Sequence, residues 1–185
     1  MEKIKCLICG MNININNYDF NNTTMVEKNI ENNIINCPFC GVNRLYFDNN
    51  LDLHKTENLD SNIISIFDKA MKLEIFNGQF YKEASKMAKA EDIKKLFKEL
   101  SNIEYMHAKI HKKLGGLKIE PNLFKPDYSK HDTDELLLKE ASKREEHAIA
   151  FYNKYMREVS SEFVKDVFKA LIDVEKQHKH ISQNK

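Results

Sequence analysis

The sequence has almost no net charge: 29 Lys and Arg against 28 Asp and Glu leave +1 over 185 residues. A nucleic-acid-binding chain carries a basic footprint, and none is present. Long apolar runs are missing too. The opening MEKIKCLICG holds no apolar stretch of signal-peptide length, and no segment approaches the ~20 apolar residues of a membrane span. These absences predict a cytoplasmic chain with no nucleic-acid and no membrane partner. Cysteine is absent beyond residue 40. The four present form two close pairs, Cys6 with Cys9 and Cys37 with Cys40. In a reducing compartment that pairing favours a metal over disulfides.

Composition divides the chain. Fifteen of the twenty asparagines lie before residue 63, among cysteine, glycine and β-branched residues. Beyond residue 60, Lys, Glu, Ala, Leu, Ile and Phe take over with helical periodicity. The Asn, Ile and Lys enrichment is consistent with an AT-rich genome and carries no chemistry by itself. The expected organisation is a small module over 1–50, a linker over 51–60 in the aperiodic DNNLDLHKTENLDS region, and a helical domain over 61–185.

Four amphipathic segments follow, at about 61–90, 92–114, 133–159 and 161–181. Asp132 or Thr133 is placed to cap the third, and Ser160 or Ser161 the fourth. Between the second and third, GGLKIEPNLFKPDYSKH has two glycines and two prolines and cannot continue a helix. Short, long, short connections describe a mainly α, ferritin-like four-helix bundle with one long crossover. The second half also copies the first at a constant offset of 71 residues: Ala70 to Ala141, Glu74 to Glu145, Phe80-Tyr81 to Phe151-Tyr152, Glu104 to Glu175, His107 to His178. Two similar hairpins should meet about a pseudo-twofold axis.

That repeat explains an anomaly in LIDVEKQHKH (171–180), where Glu175 and His178 fall on or beside the apolar seam of Leu171 and Val174. An unpaired buried charge is costly. Glu and His at i and i+3 share a helical face and can reach one metal centre. Di-metal bundles take one Glu from each of two helices and Glu-x-x-His from each of the other two. Here the candidates are Glu74, Glu104, His107, Glu145, Glu175 and His178. Four carboxylates carry −4, which two divalent cations neutralise, and this ligand type suits iron or manganese. Tyr81 and Tyr152, two turns past Glu74 and Glu145, are placed to orient ligand carboxylates or to be ordinary core tyrosines. His111 is one turn beyond His107, either behind the ligands or at the bundle end; His54, His131, His147 and His180 read as surface or loop residues.

CLICG (6–10) and CPFCG (37–41) form two C-x2-C knuckles 27 residues apart, a spacing that closes on one tetrahedral metal. With few large apolar side chains, the module could scarcely fold without that staple. Spacing does not distinguish zinc from iron there.

Taken together, the chain resembles a rubrerythrin in the reverse layout, with the rubredoxin-like module ahead of the bundle. The resemblance rests on Cys6, Cys9, Cys37 and Cys40 in their knuckles, Phe47 as the aromatic seven residues past the last cysteine, and the six bundle residues. It implies a non-haem di-iron peroxidase that reduces hydrogen peroxide and protects against oxidative stress. The six bundle residues would be di-iron ligands and catalytic, and the cysteines would hold an iron that relays electrons. Electrons would come from a separate NAD(P)H-dependent reductase. About fourteen residues of helix separate Glu74 from the linker, roughly 20 Å at 1.5 Å per residue. The resemblance accordingly implies delivery from the partner's module in a head-to-tail homodimer.

The chain departs from the family's pattern where an additional glutamate usually follows the third helix's lone Glu. Here Ala148 stands, with Asn77 at the related place on the first helix, while Glu146 and His147 turn off the seam. The first knuckle continues as CGMNINI without the usual tyrosines, and the chain has no Trp. A symmetric six-ligand site, with oxygen rather than peroxide as an alternative oxidant, fits these departures. The rival function is a ferroxidase or iron-handling protein whose module is a structural zinc ribbon. A third reading is a metal-sensing or structural protein with an inert filled site.

Overall fold

The computed structural model describes residues 4–47, 59–119 and 121–185. Most of the expected linker, and His54, lie outside the described residues. Helix α1 spans Ser61–Met87, α2 Glu91–Leu114, α3 Asp134–Glu158 and α4 Glu162–Gln183. α1 packs along α2 and α3 along α4, and the Gly/Pro crossover joins the two hairpins. No helix among the described residues is long and apolar enough to cross a membrane.

Local chemistry sets the helix ends. The side chains of Asp60, Thr133 and Ser161 accept from Ile63 N, Leu136 N and Val164 N, capping α1, α3 and α4. α2 begins on Ala90, which has no side chain to cap it. The turn before it is held from α3, where the Asp134 carboxylate accepts from Lys89 N at 2.7 Å and Ala90 N at 2.9 Å. This explains why α1 stops three residues short of the expected Ala90.

Two aromatic-rich cores lie at the ends of the bundle. One gathers Phe80, Tyr81, Leu96, Phe97 and Leu137 under Tyr128 of the crossover. Arg144 lies over three rings there, 4.3 Å from the Phe80 centroid, and pairs with Glu140 at 3.1 Å. The other core holds Phe67, Ile103, Val167 and Phe168, and runs without a break into Cys6, Cys37, Cys40, Val42 and Phe47 of the module. The module therefore shares the bundle's interior.

The module has little regular structure: a two-stranded antiparallel ribbon, β1 (Ile4–Lys5) with β2 (Asn12–Ile13), and two short 3-10 turns. The cysteine knuckles are twins. Gly10 N donates to Cys6 O and Gly41 N to Cys37 O, both at 2.8 Å, with φ of +77° and +75°. Only glycine adopts such angles without strain. An added Cβ on Gly41 would meet Val174 Cγ1 at 2.6 Å, because the second knuckle presses against α4.

Asparagine does here what ladders do elsewhere. Buried Asn29 donates to Tyr18 O and Asn36 O and accepts from Ile35 N and Asn36 N. Asn22 closes both ends of the Asn29 backbone, Asn36 holds Glu27 O, and Asn21 holds Pro38 O. Short amide side chains readily satisfy local backbone groups in this way. Asn29→Ala strands two N–H groups and two carbonyls, so the module should lose about 2–4 kcal/mol. The expected reading is faster loss of thiolate-bound metal to a chelator with unchanged helical circular dichroism; unaltered chelation kinetics would contradict this role.

Candidate metal centres

The six seam residues converge in the middle of the bundle. Glu74 comes from α1, Glu104 and His107 from α2, Glu145 from α3, and Glu175 and His178 from α4; all are 0 % exposed. Their ligand atoms fall into two groups, Glu74, Glu104, His107 and Glu175, and Glu104, Glu145, Glu175 and His178, each within 4.8 Å. Glu104 and Glu175 belong to both, which is the geometry of carboxylates shared between two ions. His107 Nδ1 lies 3.1 Å from Glu175 Oε1, and His178 Nδ1 lies 3.3 Å from Glu104 Oε1 and 3.1 Å from Glu175 Oε2.

The cluster fits cations on its own chemistry. Glu74 Oε2, both oxygens of Glu104, Glu145 Oε2 and Glu175 Oε1 are buried without a hydrogen-bond partner. Burial pushes the carboxyls of Glu74 and Glu145 well above the usual range, and the charges of Glu104 and Glu175 push them further. At Glu104 and Glu175 burial acts the same way, but the facing His107 and His178 outweigh it and hold both carboxyls low. Only protons or cations can relieve such a concentration of charge, and two divalent ions match the four carboxylates.

The residues behind the cluster orient it. Tyr81 donates to Glu145 Oε1 and Tyr152 to Glu74 Oε1. Each tyrosine thus serves the opposite hairpin rather than the glutamate two turns before it. Buried His111 bonds Tyr152 Oη through Nε2 at 2.7 Å. Since the Tyr152 hydrogen goes to Glu74, His111 Nε2 is the donor. Burial, with His107 nearby, lowers His111 to about 3, so it is neutral near pH 7. The first hairpin has no such backing: Tyr81 stacks on Phe97, and the position matching His111 is Ser182. The i, i+4 spacing of His107 and His111 was the only sequence signal for this residue.

The four sulfurs also gather. Cys6 Sγ to Cys40 Sγ and Cys9 Sγ to Cys37 Sγ are both 3.7 Å. A tetrahedron with metal–sulfur bonds of 2.3 Å has edges of roughly 3.8 Å. Burial raises the Cys37 and Cys40 thiols, a cost that a bound cation removes.

The two centres touch. His107 Nε2 lies 2.9 Å from the carbonyl oxygen of Cys40 and donates to it, leaving Nδ1 free to face Glu104 and Glu175. The module is held there by Thr23 N to Glu99 Oε2 at 2.8 Å, Asn102 Nδ2 to Asn21 Oδ1 at 3.0 Å, and Val26 N to Gln177 Oε1 at 3.3 Å. The length of α1 before Glu74 does not separate the two centres, because the module folds against α2 and α4 beside the site instead of staying at the end of α1. No sequence pattern marks the Cys40 carbonyl.

A family model described as Rubrerythrin matches residues 65–184, from α1 through α4. The chain belongs to the rubrerythrin family. No protein of curated function and no solved structure matches it. Rubrerythrins are iron-binding, di-iron proteins of oxidative-stress defence, and the donor set of this bundle fits that metal. The family's ferritin-like fold is the one observed. The match stops short of the four-cysteine module, which stands on its own geometry. Ala148 is fully buried, Glu146 and His147 are exposed, and the cluster among the described residues has six members. His180 is exposed, and His131 is half-buried against Tyr128 O and Glu140.

Two outcomes follow. Stripping metal from the bundle should lower its stability by about 3–4 kcal/mol relative to protein with metal at 100–1,000 times its Kd, seen as a fall in melting temperature that added Fe(II) or Mn(II) reverses. Tyr152→Phe should weaken metal binding about 10–100-fold, the range for a residue behind a ligand, and more than Tyr81→Phe, because it also strands His111 Nε2–H. Equal losses in a metal titration would show that His111 contributes nothing.

Proposed function

We propose that this rubrerythrin is a non-haem di-iron peroxidase that reduces hydrogen peroxide to water with electrons relayed from the four-cysteine centre. One observation carries the reading: His107 faces the carboxylate cluster through Nδ1 and the Cys40 carbonyl through Nε2 at 2.9 Å. A staple needed only for folding has no reason to abut a ligand of the second centre.

In this reading Glu74, Glu104, His107 and Glu175 would hold one iron and Glu104, Glu145, Glu175 and His178 the other. When bound, the iron pair supplies Lewis acidity and two electrons for H2O2 + 2 H+ + 2 e− → 2 H2O. The chain supplies the rest. Tyr81 and Tyr152 hold the terminal carboxylates in place, and both keep their hydroxyl protons, because burial and the adjacent Glu145 and Glu74 raise them well above the ordinary range. Fully buried Phe67, Phe97 and Phe168 pack against His111, Tyr81 and Tyr152, the side chains behind the cluster. His107 gives a short covalent and hydrogen-bonded route from Cys40. The reading includes a separate NAD(P)H-dependent reductase, a cytoplasmic setting and a head-to-tail homodimer, in which exchanged modules would make the same Cys40–His107 contact across two copies.

The ferroxidase reading draws on Ala148, whose methyl stands where the family's usual additional glutamate would offer a seventh ligand. The two part on one spectrum. Iron-supplied protein should be red from thiolate-bound iron, bleach on reduction and regain colour with peroxide; a colourless, zinc-filled module favours the rival. Glu104→Ala, which removes a shared carboxylate, should cut metal loading of the bundle and peroxide consumption by more than about 100-fold. An iron-replete, active variant would refute the assignment.

A further inference from the structure

The four thiolates are not equally hidden. Cys6, Cys37 and Cys40 have 0 % exposure, whereas Cys9 is partly exposed. Cys9 lines a pocket of about 290 Å³ with Leu7, Met11 and Met106 as apolar wall and Lys109 and Lys113 as the charged part. A shallower hollow beside it continues over Lys109, Lys112 and Lys113. Among the described residues no acidic side chain lines either. A Cβ on Gly10 would lie 3.7 Å from Lys113 Nζ, so that ammonium sits over the first knuckle.

These lysines differ from those earlier in α2. Lys94 pairs with Glu91 at 2.5 Å and Lys95 with Glu99 at 3.8 Å. The ammonium groups of Lys109 and Lys113 form no ion pair or hydrogen bond among the described residues. Lys113 stands in the last turn of α2, where a cation complements the helix dipole. Lys109 lies a turn earlier, where that reason is weak, and it borders the same pocket.

We propose that the pocket at Cys9 is the docking surface for an acidic protein electron carrier, whose redox group it sets against the exposed thiolate. The proposal rests on the electron-relay reading above and names the partner of that relay. Two unpaired ammonium groups supply charge complementarity and steering, and Leu7, Met11 and Met106 supply a small apolar contact of the transient kind. At about 290 Å³ the space falls just below ordinary cofactor pockets of ~300–1,000 Å³. It suits the protruding edge of a protein-held group better than a free dinucleotide. The arrangement is also directional: Cys9 faces out, and Cys40 faces His107. Each transfer moves one electron; the carrier is oxidised and the thiolate-held metal reduced, with no bond made and no proton moved.

The test uses full-length protein with redox-inert zinc in the module and an acidic flavodoxin as the probe, titrated by calorimetry at low and high salt, with basic cytochrome c as control. Flavodoxin should bind the wild type at low salt, and salt should weaken that binding. Lys109→Glu/Lys113→Glu should weaken it about tenfold or more, with unchanged melting temperature, and Lys109→Gln/Lys113→Gln should fall between. Cytochrome c should not bind the wild-type surface. Equal flavodoxin affinity in all three proteins, or no binding at low salt, overturns the proposal. Failure of the peroxidase reading would appear separately, as iron-loaded protein that consumes no peroxide with a small-molecule reductant.

Discussion

Four carboxylates pointing into the middle of a helical bundle, none with any exposure to water, are the constraint to which the rest of the structure answers. Taking one such group out of water costs several kcal/mol even after the protein relaxes, so four together stand only if positive charge joins them. Two imidazoles cannot supply it all. Two divalent ions can, and the way Glu104 and Glu175 belong to both ligand groups shows where they would sit. The aromatic cores on either side serve the same end by excluding water from both ends of the cluster.

The repeat makes the two hairpins nearly equivalent at the ligands, and the structure then breaks the equivalence behind them. Of the two ligand imidazoles, His107 has its outer nitrogen on the Cys40 carbonyl, whereas His178 Nε2 is buried without a partner among the described residues. Of the two tyrosines, Tyr152 is backed by His111 and Tyr81 by a stacked Phe97. One side of the cluster is therefore tied to the four-cysteine centre and firmly held, and the other is less constrained. A symmetric set of six residues thus has asymmetric support.

The module shows how a short segment poor in large apolar residues gains a defined shape. Sulfur closes it at one point, asparagine amides replace most of its missing ladders, and its apolar remainder is buried against α2 and α4. None of the three suffices in 45 or so residues. Together they hold the Cys40 carbonyl against His107.

Periodicity along a helix was enough to read the bundle, because period, caps and breakers are local: Thr133 and Ser161 cap where spacing put them, and Glu-x-x-His reaches one face whatever surrounds it. The repeat at 71 residues likewise brought six distant side chains to a single centre without any structure. Other features depended on groups far apart in sequence and carried no pattern: the hold of Asp134 on the α1–α2 turn, the crossing of Tyr81 and Tyr152 to opposite hairpins, the amide network around Asn29, and the Cys40 carbonyl on His107. Sequence by itself determined which residues face inward and which chemistry they can hold, since both follow from side-chain type and helical spacing. Tertiary structure alone decided how the two centres meet and which thiolate faces water, since both depend on how the module lies against α2 and α4, and backbone carbonyls and packing angles leave no mark on residue identity.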